Sequence, residues 1–218
     1  YGSNLRMKRE LELLRVKMKE TGVDACLIPT SDFHGSEYVG DYFKCREYIS
    51  GFTGSAGTLV VTLDEAGLWT DGRYFLQAAK QLSGSGITLM RERQPGVPSI
   101  EEYLKTTLKK GETLGFDGRC IMAEYADTLI TQLNALGVAV RTDIDLPGAM
   151  WEKRPPLSAQ AVWPLPVEYA GESSESKIKR VREFLSEKKA QYLLLTSLED
   201  IAWLLICVVT MWNRHRLF

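Results

Sequence analysis

The sequence has 218 residues, 44% hydrophobic and 25% charged, enough apolar material for one large domain or for one domain and part of a second. Its 27 Lys plus Arg stand against 28 Asp plus Glu, which excludes the global basic field that nucleic acid or an acidic membrane surface would call for. Cys26, Cys45, Cys120 and Cys207 are scattered without a CxxC pair, so they read as free thiols of a reducing compartment, the cytoplasm, rather than as a disulfide framework or a zinc site. No N-terminal apolar stretch precedes a cleavage-like site, and Tyr1-Gly2-Ser3 reads as a cloning remnant.

In chain order, Ser3 or Asn4 is expected to cap a first helix through about Glu20, because Leu5, Leu11, Leu14 and Met18 recur at helical spacing between charges and Gly22 ends the run. Val23 to Pro29 is apolar without polar alternation, the pattern of a strand buried on both faces. Glu37, Tyr38, Asp41, Tyr42 and Cys45 suggest a further helix before Tyr48-Ile49. The chain is then organised around Ser50 to Phe75. Gly51, Gly54 and Gly57 recur every three residues and describe a backbone that turns tightly or approaches another chain closely, and a β-branched run, Thr58 to Thr62, follows at once. Asp64 to Gly67 offers a hairpin connection, Leu68-Trp69-Thr70 the return strand, and Asp71 a cap for a helix beginning near Arg73, with Phe75, Leu76, Ala79 and Leu82 on one face.

Ser83 to Gly86 breaks that helix, and Ile87 to Arg91 reads as a strand. Ser99 with Glu102 forms a capping box for a helix through about Leu108, closed by Gly111. Thr113 to Phe116 and Val138 to Arg141 read as strands around a helix from Tyr125 to Leu136. Alternating strands and helices with short loops give a layered α/β domain, a mixed sheet flanked by helices, over residues 1–145. Five of the eight prolines fall within Pro147 to Pro166, so 146–171 reads as an extended linker lying against a surface through Trp151 and Trp163.

A second unit opens at 172–205, with a helix from Glu172 to Lys189 and an apolar strand from Ala190 to Thr196. It repeats the chain's own beginning: Leu11, Leu14 and Met18 correspond to Ile178, Val181 and Leu185, and Cys26-Leu27-Ile28 to Leu193-Leu194-Leu195.

The chemistry-bearing residues are few. His34 and His215 are the only histidines, too few for a His-rich metal site or a Ser-His-Asp triad, and His34 beside Asp32 and Glu37 reads as a structural or surface group. Ser55 lacks the GxSxG elbow and reads as a turn residue. The three glycines lack the Gly-Lys-Ser/Thr of a phosphate loop and the dinucleotide spacing. Arg46, Asp71 and Arg73 flank the organising stretch, and each is a candidate for facing a substrate passage or a neighbouring domain, or else for pairing locally with another of the three. Gly51, Gly54, Gly57, Trp69, Gly72 and Tyr74 read as mainly structural, and Trp203 as a core residue.

Three stretches in order carry a resemblance: Asp32-x-His34-x-Ser36-Glu37-Tyr38, then Gly51-Phe52-x-Gly54-Ser55-Ala56-Gly57, then Trp69-Thr70-Asp71-Gly72-Arg73-Tyr74-Phe75. Together they resemble the N-terminal creatinase-like domain of the three-domain Xaa-Pro aminopeptidases, over most of residues 5–205, with Asp200 to Leu204 similar to the start of that family's second domain. The resemblance implies an enzyme that removes an N-terminal residue preceding proline, using two divalent metal ions, usually manganese, held by carboxylates and a histidine in a C-terminal domain. It also implies homo-oligomers, peptide partners with proline second, and N-terminal domains that shape substrate access and subunit contacts. No catalytic or metal residue carries over onto this chain, so it is expected to be inactive alone. The alternative from another class is a stand-alone binding or assembly module without chemistry.

After Leu205 the resemblance stops. Ile206 to Asn213 can be encoded so that the same bases, read one nucleotide upstream, give Asn-Leu-Arg-Gly-Asn-Asp-Val-Glu, as relatives continue; residues 206–218 are therefore expected to be a frameshifted tail that is poorly ordered or improvises a partner.

Overall fold

The computed structural model describes residues 2–208, and these fall into two compact units that divide between Pro155 and Pro156. The first opens with α1 (Gly2–Thr21), which starts upstream of the expected cap, buries Leu11, Leu14 and Met18, and ends at Gly22 with φ +67°. A left-handed residue there is cheap only for glycine. β1 (Ala25–Pro29) follows, then α2 (Cys45–Ser50), β2 (Thr58–Thr62), β3 (Ala66–Thr70), α3 (Phe75–Gln81) and β4 (Thr88–Arg91). The unit closes with α4 (Ile100–Thr107), β5 (Thr113–Gly115), α5 (Ala123–Ala135), β6 (Ala139–Arg141) and α6 (Leu146–Met150).

The six strands form one mixed sheet in the order β4-β3-β2-β1-β5-β6. β1 is central, antiparallel to β2 (Cys26 opposite Val61) and parallel to β5. β2 and β3 pair antiparallel, while β3–β4 and β5–β6 are parallel. One face packs under α1, α2, α3 and α6 around Leu14, Met18, Ile49, Phe52, Leu59 and Leu68. The other packs under α4 and α5 around Leu27, Val60, Trp69, Leu114, Phe116 and Leu129. Successive residues of β1 therefore feed opposite cores, which is why that strand shows no polar alternation.

Four local expectations change. Of the helix expected around Glu37 to Cys45 only a 3-10 turn, Asp41–Phe43, forms before α2 begins at Cys45, and Phe33, Tyr42 and Phe43 pack edge-on among themselves at centroid distances of 4.8 to 6.4 Å. β3 begins at Ala66, which shortens the hairpin connection to residues 63–65. In α3 the buried positions are Ala78 and, just beyond it, Leu82, while Leu76 is 88% exposed. The supposed linker begins as structure: Asp145 caps α6 by accepting from Gly148 N, Leu146 is buried, and Trp151 stacks on Tyr48 at 4.3 Å, so residues up to Pro155 belong to the first unit.

The second unit contains β7 (Trp163–Pro164), α7 (Val167–Ala170), α8 (Ser174–Glu187), α9 (Leu198–Leu205) and β8 (Cys207–Val208). Ile178, Val181 and Leu185 are half-buried on α8, and Lys177 donates to the Trp203 carbonyl at 2.8 Å near the end of α9, where a cation suits the helix dipole. The strand expected at 190–196 does not form, and the two-residue strands β7 and β8 pair only with each other. Trp203 is 52% exposed rather than a core residue, with the Lys177 ammonium 4.4 Å from its ring centroid. Of the tail, Cys207 and Val208 pair antiparallel with Pro164 and Trp163; residues 209–218, including His215, lie outside the described residues.

Candidate functional site

Five of the six strands run in one direction and only β2 opposes them, so the carboxyl ends of β1, β3, β4, β5 and β6 and the start of β2 share one edge. Open α/β sheets place their ligand-facing loops at that edge. Here it carries the Asp32 loop, the glycine-rich loop, the Asp71 turn, Arg91, the Asp117 turn and Asp143.

The glycine-rich loop is pinned one carbonyl at a time. Arg46, 4% exposed, donates Nη1 to Phe52 O at 2.9 Å and Nη2 to Gly54 O, with its guanidinium 4.7 Å from the Phe52 ring centroid. Burial pulls its pKa down to about 10. Thr70 Oγ1 donates to Ala56 O at 2.7 Å and Thr30 Oγ1 to Gly57 O at 2.8 Å, while Ser55 and Tyr74 share a 2.7 Å hydroxyl contact. The glycines have distinct reasons. Gly51 has φ +69°, a Cβ on Gly54 would lie 2.3 Å from Phe52 Cζ, and one on Gly57 3.1 Å from the Trp69 carbonyl. Trp69 itself is buried and donates Nε1 to Pro98 O at 2.9 Å. Gly72 is different, since a Cβ there would meet nothing closer than 3.9 Å.

Asp71 and Arg73 lie outward. Asp71 Oδ1 accepts from Arg73 N and Nε, both at 3.0 Å, and Oδ2 accepts from Nη2 at 2.9 Å. That side-chain fork holds the Asp71 carboxyl below the usual carboxylate range. Arg73 is 63% exposed, and its Nη1 lies 3.9 Å from Glu37. Glu37 belongs to a turn organised by Asp32, whose buried Oδ1 accepts from His34 N at 2.8 Å and Ser36 N at 3.0 Å; His34 itself is exposed. The edge thus brings Asp71 and Arg73 together with Glu37, whereas Arg46 lies beneath it with its donors turned inward.

The same turn occurs twice, and only its first copy stands out in the sequence reading. After β5, Arg119 N and Nε donate to Asp117 Oδ1 at 3.1 and 2.9 Å, and Nη2 to Oδ2 at 2.8 Å. The recurring Asp-Gly-Arg after a strand is the signal that could have revealed it. Gly118 is crowded where Gly72 is open, since a Cβ would lie 2.8 Å from the Thr142 carbonyl. Nearby, Arg154 bridges Asp145, the Tyr42 carbonyl and Cys45 Sγ, the last at 3.3 Å. Burial pushes the Cys45 and Cys120 thiols up to about 12, leaving both neutral at pH 7.

The donor set does not fit the two metal ions implied by the resemblance. Asp71, Asp117 and Asp143 are each engaged by an arginine two residues away, and among the described residues no group of three His, Cys, Asp or Glu side chains could hold a metal ion.

Comparison with known proteins places this geometry. The Creatinase/Prolidase N-terminal domain family matches residues 10–150, and a second model of the same description matches 153–206. Xaa-Pro aminopeptidase 1 of Dictyostelium discoideum is 36% identical over 208 residues, covering 91% of this chain and 33% of its own length. Aminopeptidase P2 of Arabidopsis thaliana is 40% identical over 188 residues, covering 84% of this chain and 26% of its own. The crystal structure of X-prolyl aminopeptidase from Caenorhabditis elegans, described as a cytosolic enzyme with a di-nuclear active site, superposes with a TM-score of 0.81 at 34% identity, over 92% of this chain and 34% of that one. The chain spans about a third or less of the length of these relatives. A mixed six-stranded sheet between two helical layers, with these matches across both units, makes the chain a member of the creatinase/prolidase N-terminal domain family.

Proposed function

We propose that this chain is the non-catalytic N-terminal region of a cytoplasmic, metal-dependent Xaa-Pro aminopeptidase, which releases an N-terminal residue preceding proline. The observation that carries the reading is 36 to 40% identity to Xaa-Pro aminopeptidases across most of the chain. The paired metal ions, manganese in this reading, belong to a part of the parent enzyme outside these residues, and no step of the reaction runs through the side chains described above. The chain's own contribution is a rigid edge: Arg46 and the threonines fix the glycine-rich loop, and the fixed loop presents Asp71, Arg73 and Glu37 to a substrate passage or a neighbouring subunit. This region also takes part in self-association.

Two experiments test the reading. The nucleotide sequence beyond the codon for Leu205 should, in the alternative frame, continue into a second domain and a metallopeptidase domain. That would also account for residues 206–218 as a shifted tail, in keeping with a family match that stops at 206. The restored protein with added manganese should release the first residue of an Xaa-Pro peptide, and the 218-residue chain should not. A restored protein without that activity overturns the proposal. In the active protein, Arg73→Ala should change KM or subunit affinity while leaving the melting temperature within about 1 °C, as a surface substitution does.

A further inference from the structure

The chain leaves β1 for β2 on one side and β5 for β6 on the other, so its connections diverge between these two parallel neighbours. The crevice at their carboxyl ends is where an open α/β sheet takes a ligand. A cavity of about 30 Å³ lies there, between Ile28 of β1, Phe116 and Asp117 after β5, and Cys45 of α2, with Arg154 in its wall. All three nitrogens of the Arg154 guanidinium are engaged. Nε donates to the Tyr42 carbonyl at 2.9 Å, Nη1 to Asp145 Oδ2, and Nη2 to Cys45 Sγ at 3.3 Å, while Cζ lies 3.6 Å from the Tyr42 ring centroid. A carboxylate, a carbonyl and an aromatic face set around one planar cation are the groups that recognise a guanidinium.

The other arginines of this edge are held differently. Arg73, Arg119 and Arg141 fold back onto the aspartate two residues away, and the Arg119 side chain is 57% exposed. The Arg154 side chain is 13% exposed and meets Tyr42 and Cys45, which lie 112 and 109 residues earlier. The groups that receive it are fixed by contacts Arg154 does not supply. Asp145 Oδ1 caps α6 through Gly148 N, Tyr42 packs on Phe33 and Phe43, and Cys45 opens α2. Arg119, whose Nη2 lies 4.0 Å from Asp145 Oδ2, is committed to Asp117. Arg154 is also followed at once by Pro155, where the first unit ends. We propose that the crevice between β1 and β5 is a guanidinium-binding site occupied by the chain's own Arg154, which straps residues 151–155 to the carboxyl edge, and that with Arg154 withdrawn it accepts a small guanidinium compound from solution. This goes beyond the aminopeptidase reading and does not depend on it.

Thermal unfolding and amide hydrogen exchange of the 218-residue chain test it, with methylguanidinium as the probe and methylammonium as its control. Arg154→Ala should lower the melting temperature of the first unit by about 5 °C, because it leaves the largely buried Asp145 carboxylate unpaired. Amides of residues 151–154 should then exchange about tenfold faster. Methylguanidinium at about 20 mM should recover at least about half of both changes, and methylammonium, which has the charge without the fork, neither. The wild type should not respond, since the tethered Arg154 outcompetes a dilute ligand. Adding Asp145→Asn, which keeps a capping oxygen for α6 and removes the charge, should abolish the recovery in Arg154→Ala. Should Arg154→Ala fail to fold, return of the far-ultraviolet circular dichroism spectrum with methylguanidinium alone is the same test. No recovery, equal recovery with methylammonium, or recovery that survives Asp145→Asn overturns the proposal and leaves Arg154 as a brace without a binding site. The peptidase assay of the restored enzyme is independent of these outcomes.

Discussion

Gly54 and Gly72 differ by what one methyl group would meet. At Gly54 it would strike the rings of Phe52 and Tyr74 at 2.3 and 2.8 Å, and Phe52 is fully buried with Arg46 alongside it. Gly54→Ala should therefore destabilise the first unit by about 1–3 kcal/mol in urea unfolding, the usual cost of overpacking. Gly72→Ala should stay within about 0.5 kcal/mol of wild type. Asp117 gives a pH-dependent counterpart. Burial pushes its carboxyl up, but hydrogen bonds from the Arg119 side chain and backbone prevail and hold it below the usual range. The folded-state value is thus below the unfolded one, so the turn contributes fully above the ordinary carboxylate range and loses that contribution as pH falls through the depressed value. Asp117→Asn should cost about 1 kcal/mol at pH 7, an amount limited by the exposure of Arg119, and converge with wild type once pH falls below the depressed value. The Asp71 and Arg73 pair was legible in the sequence because neighbours two residues apart need no tertiary help. Arg46 could not be assigned that way, as only the fold shows its donors turned inward onto Phe52 and Gly54.

At the scale of elements, the capping box before α4 forms in both directions. Ser99 Oγ accepts from Glu102 N at 3.2 Å, and Glu102 Oε2 accepts from Ser99 N at 2.9 Å. Ser99→Ala should cost about 1 kcal/mol, read as a lower thermal midpoint of the first unit. Helices whose information lies in four consecutive residues are found from sequence for this reason. The helix expected around residues 37–45 shows the reverse case: only the 3-10 turn Asp41–Phe43 forms, and Tyr42 and Phe43 pack with Phe33 from outside it. Residues 190–196 are the sharpest instance, since strand-forming composition becomes a strand only where another backbone supplies the ladder.

At the scale of the whole chain, the division at Pro155–Pro156 leads into an exposed run, residues 156–164, of which Trp163 and Pro164 form β7. Limited digestion with elastase should cut within 156–162 and leave a fragment ending near Pro155 with the melting behaviour of the first unit. Cleavage first within α6 would contradict the assignment of that helix to the first core. Prolines and tryptophans together suggested one linker over 146–171, yet its first ten residues contain a capped helix and a stacked tryptophan. Composition cannot tell a proline at the start of a helix, as Pro147 is, from prolines in extended chain.

The sequence alone determined the alternating α/β class, the positions of most helices and strands, the Asp71 turn and the family resemblance, because each is written in contacts between residues close along the chain or in motifs of a few residues. Only the tertiary structure decided the strand order, the shared carboxyl edge, the second Asp-Gly-Arg turn as a partner of the first, the inward role of Arg46 and the exposure of residues 191–196. Each of these depends on which distant backbone lies alongside, and that is settled by burying two faces of one sheet at once rather than by local preference.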